Sequence, residues 1–133
     1  MFPYRASRIW LLSGIFFAAT LLLTSCKPTI TKGDVYQRFN KDIRVGATKS
    51  EVIRYVDSLE VNGVKPRRDE YVRDTSGYPV TAPDGKEVEV EGQIYTSFSN
   101  GVSWSFNFCA HVDAIFYFDK SDKLITYHID CFR

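Results

Sequence analysis

The chain has 133 residues, with 17 basic and 16 acidic side chains, two histidines, three cysteines and a formal charge of +1. That length suits one small domain. The balanced charge, with no long basic run, argues against nucleic acid or an anionic membrane surface as a partner.

Residues 1–25 differ in kind from the rest. Arg5 and Arg8 are their only charges, and the apolar stretch "IWLLSGIFFAATLLL" is broken only by Ser13, Gly14 and Thr20. This is a charged n-region followed by an h-region of signal-peptide length, short for a membrane span. Leu23-Thr24-Ser25-Cys26 follows, with Leu at −3, small residues at −2 and −1, and Cys at +1. The stretch resembles the bacterial lipobox. That resemblance implies a diacylglycerol on Cys26, cleavage before it and acylation of the new amine. Two or three acyl chains anchor a protein stably where one does not. In enteric-type bacteria, Lys27 rather than Asp at the next position implies outer-membrane delivery, facing the periplasm. The expected division is a leader over 1–25, a lipidated tether over 26–33 and one domain over 34–133. Beyond the leader there is one more acid than base, and Cys109 and Cys131 form an even pair. An oxidising compartment would join them as a disulfide.

In chain order, "KPTITKGD" is polar and broken by Pro28 and Gly33, as a tether would be. Asp34 is expected to cap a short helix with Val35 and Phe39 on one face. A second helix is predicted from a Thr48–Glu51 capping box, with Val52, Ile53, Val56 and Leu59 forming its apolar face and Asn62-Gly63 as the stop. Residues 65–85 carry turn signals at Ser76-Gly77 and Asp84-Gly85 but no clear element. Lys65, Arg67 and Arg68 are expected in a solvated loop. Glu87, Glu89 and Glu91 alternate with Val88 and Val90 as a half-exposed strand whose charges guard an edge.

From Gln93 onward the pattern is β. A three-residue loop, Ser99-Asn100-Gly101, would pair Phe98 with Val102, Thr96 with Trp104 and Ile94 with Phe106, placing the apolar residues on one face. The even-numbered parity continues through Phe118, so one bent strand is predicted over 102–118. A turn at "FDKSDKLI" with Asp122 left-handed would pair Phe118 with Leu124 and set His111 opposite Cys131. Cys109 and Cys131 would then be diagonal neighbours, within bridging reach if one bulge adjusts the register.

Little in the chain suggests catalysis. No nucleophile–base spacing, phosphate loop or paired-carboxylate helix is present, so neither an enzyme nor a small-molecule substrate is expected. Cys109, His111 and Asp113 lie at ligand spacing on one strand, but a disulfide would consume the thiol, and His128 is expected on the face opposite His111. No metal or cofactor is therefore predicted. The second sheet face would carry Tyr95, Ile115, Tyr117, Ile125, Tyr127 and Ile129. Either this face is open to a protein partner, with Tyr95, Ile115, Tyr117 and Tyr127 as binding candidates, or segment 67–90 folds over it.

The tether, the short helix, "IRVGATKSEV" opening a second helix and the closing "AIFYFDKSDKLITYHI" together resemble the SmpA/OmlA lipoproteins. These include the smallest lipoprotein of the outer-membrane β-barrel assembly machinery. Gly46, Thr48 and Val52 match that family's G-M-T-x-x-x-V motif, with Ala47 replacing Met. The resemblance implies an α+β fold, two helices on one face of an antiparallel sheet of three or more strands, similar to the unit of β-lactamase-inhibitor proteins. It also implies a non-enzymatic binding or scaffold role in envelope assembly, in contact with the bilayer through acylated Cys26 and with a protein partner. The alternative is an inhibitor or immunity-type lipoprotein that blocks an envelope hydrolase or toxin.

Overall fold

The computed structural model describes residues 29–74, 76–100 and 109–133. The leader, the lipobox with Cys26, and the expected strand residues 102–108 lie outside them. Among the described residues the fold is α+β: two helices, a five-stranded antiparallel sheet and a separate two-stranded hairpin.

Helix α1 spans Lys32–Asp42 and α2 spans Lys49–Ser58. Both open with reciprocal capping boxes. In α2 these are Thr48 and Glu51, as predicted, but in α1 Thr31 is the cap and Asp34 is its partner at the third helical position. A Thr followed three residues later by an acid satisfies two free N–H groups at once, so Thr31 displaces Asp34 from the role expected of it. Helix α2 stops at Leu59. Asn62 and Gly63 instead turn the chain in left-handed conformations (φ 49° and 79°), between hydrogen-bonded Val61 and Val64.

The poorly patterned middle segment supplies three short strands, β1 (Arg67–Arg68), β2 (Val72–Arg73) and β3 (Pro79–Thr81), and the predicted alternating strand follows as β4 (Glu87–Glu89). Strands β1 and β2 both pair with β5 (Gly92–Ser99), forming an interrupted edge. Arg68 is not in a solvated loop. It grips Asp57 of α2 through two bonds of 2.7 and 3.2 Å. Strands β3 and β4 form the separate hairpin, with Glu87 and Glu89 exposed and Val88 half-buried.

The remainder of the sheet runs β5, β6 (His111–Phe118), β7 (Leu124–Phe132). The partner of β5 among the described residues lies further along the chain than expected. Phe98 pairs with Val112, Thr96 with Ala114 and Ile94 with Phe116, ten residues beyond the expected register. Ten is even, so the predicted face survives. Ile94, Thr96, Phe98, Val112, Ala114, Phe116 and Phe118 are all buried. They share one core with Val35 and Phe39 of α1 and Val52 and Val56 of α2, and the Phe39 ring lies 5.2 Å from that of Phe116.

Asp122 is left-handed (φ 57°) and Phe118 pairs with Leu124, both as expected. A bulge then intervenes. Tyr117 pairs with Thr126, so Ile125 is the extra residue, and His111 faces Phe132 rather than Cys131. Cys131 sits opposite Val112 and is bonded to Cys109, their Cα atoms 5.3 Å apart.

Packing reaches back into the stretch ahead of α1. Ile30 is fully buried, and Asn100 clamps its backbone from both sides, accepting from its N–H (2.7 Å) and donating to its carbonyl (2.9 Å). The same Asn100 amide donates to the Cys109 carbonyl at 2.7 Å.

Candidate functional site

One sheet face packs on the helices; the other is half covered. At its Gln93–Tyr117 end the β3–β4 hairpin lies over it. The Tyr78 hydroxyl donates to Gln93 Oε1 at 3.1 Å, its ring meets Tyr117 edge-on at 6.3 Å, and Val90 and Ile125 are buried. At the other end, beyond the hairpin, the odd-numbered residues of β6 meet the even-numbered residues of β7. The segment 67–90 therefore lies over this face at its Gln93–Tyr117 end.

The centre of this end is Asp113, 5% exposed. A carboxylate this deep needs donors. The hydroxyl of Ser97 donates to Oδ1 at 2.7 Å, and that of Tyr95 donates to Oδ2. His111 Nε2 lies 3.6 Å away. Directly across the strand pair stands Asp130, with His128 Nε2 at 2.9 Å from its carboxylate. Like charges opposite one another in a sheet repel, and each of these acids keeps its own histidine two residues before it. Phe132 stacks on His111 at 5.2 Å and 13°. Burial, then the bond to Asp113, pushes the Tyr95 phenol above its ordinary value. Burial and then the charge of Asp130 do the same to Tyr117.

The bulge at Ile125 corrects two expectations. His128 lies opposite Ile115 and shares the face of His111, rather than lying near Ala114 on the far side. Tyr127 and Ile129 point to the helices instead, and the Tyr127 ring meets Phe39 edge-on at 5.4 Å. Of the binding candidates, Tyr95, Ile115 and Tyr117 stay on the second face, and Tyr127 does not. Among the described residues, no group of three His, Cys, Asp or Glu side chains is placed to hold a metal, and no helix is long and apolar enough to cross a membrane.

Sequence reasoning weighed Asp113 only as a ligand beside Cys109 and His111, and gave Ser97 and Asn100 no part in a site. The signal for the first was present, because aspartate is depleted from strands and stands here inside "HVDAIFYF". Asn100 read only as a turn residue. No family model, curated protein or solved structure matches the chain.

Proposed function

We propose that this chain is a lipid-anchored, periplasm-facing module that binds protein partners during assembly of the cell envelope, with no chemistry of its own. The observation that carries the reading is the end of the second sheet face beyond the β3–β4 hairpin. There Tyr95 and Ile115 are half-exposed around a fully hydrogen-bonded Asp113. Rigid aromatic and aliphatic groups beside satisfied polar ones are what an interface core needs. The leader and the Leu23–Cys26 lipobox support the anchor. The Gly46, Thr48 and Val52 motif, through its likeness to SmpA/OmlA lipoproteins, supports the role in assembling outer-membrane proteins, and the Cys109–Cys131 disulfide suits an oxidising compartment.

The paired acids favour a second reading. Asp130, its side chain 47% exposed beside the buried Asp113, would complement a basic surface on an envelope hydrolase or toxin, as an inhibitor or immunity-type lipoprotein would. The test is photocrosslinking in cells from position 115, with gentle solubilisation and identification of the product. A β-barrel or a barrel-assembly subunit supports the first reading. A soluble hydrolase or toxin supports the second. Crosslinks that persist undiminished when Tyr95→Ala removes the neighbouring ring overturn the face as the binding site.

A further inference from the structure

We propose that the domain stands on the bilayer by one pole, the end of the sheet formed by Ile30, Asn100, the Cys109–Cys131 bridge and Phe132. This rests on the lipoprotein reading and adds an orientation to it. Ile30 is fully buried and held on both sides of its backbone by Asn100, whose amide also binds the Cys109 carbonyl. The chain is therefore fastened to this pole four residue steps after Cys26. Four steps of extended chain reach about 14 Å at most.

Strand β5 separates the two poles. Its eight residues run from Ser99, beside the clamp, to Gly92, beside the turn at Asp119–Lys123. At the usual rise this is roughly 25 Å. A tether shorter than the domain cannot let the far pole rest on the membrane with the near pole turned away. The near pole also carries Phe132, 46% exposed and stacked on His111, an aromatic at the level where headgroups begin. The occupant of this surface is the phospholipid headgroup layer that holds the acyl chains of Cys26. The open sheet face then looks sideways, parallel to the membrane plane.

The test uses the full chain, processed in cells and reconstituted in vesicles of phosphatidylethanolamine and phosphatidylglycerol. A benzophenone amino acid replaces either Phe132 at the near pole or Lys120 at the far one, and lipid adducts are read by mass. The expected yield is at least about fivefold higher at 132, since only that pole is confined within tether reach. Inserting about twelve Gly and Ser residues after Pro28, a flexible coil, should bring the two yields together. Acylated Cys26 with equal yields at both positions overturns the orientation alone. So does a ratio that the insertion leaves unchanged, because tether length would then not be its cause. A Cys26 peptide without acyl mass overturns the lipoprotein reading and the orientation with it.

Discussion

Tyr71 lies flat across Gly92, so that a Cβ built on the glycine would stand 1.9 Å from the phenol oxygen. The tyrosine is held there by a bond to Asp122 (3.1 Å), by Phe118 (rings 5.9 Å apart) and by Lys49, 4.3 Å above its ring. Gly92→Ala should therefore destabilise the fold by about 1–3 kcal/mol through overpacking. In a Tyr71→Ala background the same change should cost almost nothing, and a double-mutant cycle in urea reads the difference. On the second sheet face, Tyr95→Phe removes one of two hydroxyls from a buried carboxylate and should cost about 1 kcal/mol. A melting curve unchanged by it would mean that water replaces the phenol. Neither contact was legible in the sequence, because each joins residues far apart whose meeting depends on register. What was legible was residue type alone. Asp122 in a left-handed turn followed from its place in "KSDK", since Asp tolerates that conformation better than most residues.

Both helices were legible, because a capping box is a local device needing only four residues. Thr48→Ala should cost about 1 kcal/mol through the lost cap, and so should Thr31→Ala, measured by chemical unfolding. An unaltered midpoint in the Thr31 variant would return the cap to Asp34. The strands were half legible. Alternation identifies which residues share a face, but every even shift of register keeps that face. Phe98 could therefore be assigned its side of the sheet and still be given the wrong partner. The cystine is the strongest tie on this part of the chain. It closes a separation of 22 residues, and replacing Cys131 with Ser should cost about 3 kcal/mol. Free thiols at both positions in the unreduced native protein would remove that contribution. The short strands β1 to β3 escaped the pattern because two or three residues are too few to show a period, whereas the alternation around Val88 marked β4.

Taken as a whole, the molecule should lose stability at both ends of the pH scale. Burial is the first cause that raises the phenols of Tyr55, Tyr71, Tyr78, Tyr95, Tyr117 and Tyr127 above their ordinary value. The fold favours their neutral form, so this contribution is complete below the unfolded value near 10 and is lost as pH rises through the folded values. At the acid end, Asp42 and Asp122 are held below the ordinary carboxylate value, chiefly by the Tyr55 hydroxyl and by Lys49 respectively. Their contribution is present above the unfolded value and lost as pH falls through the folded ones. Urea midpoints at about pH 3, 7 and 11 should be highest in the middle, with phenolate absorbance rising only as the alkaline transition begins. A midpoint as high at pH 11 as at 7 would contradict the tyrosine account. The bulge at Ile125 also acts on the whole molecule. Every residue beyond it faces the side opposite to the one an unbulged strand would give it. Were that single residue deleted in evolution, His128 and Asp130 would turn toward the helices, and Tyr127 and Ile129 would come out onto the open face. One codon thus separates a polar surface from a sticky one. Selection on the stretch from Leu124 to Thr126 should accordingly tolerate changes of letter more readily than changes of length.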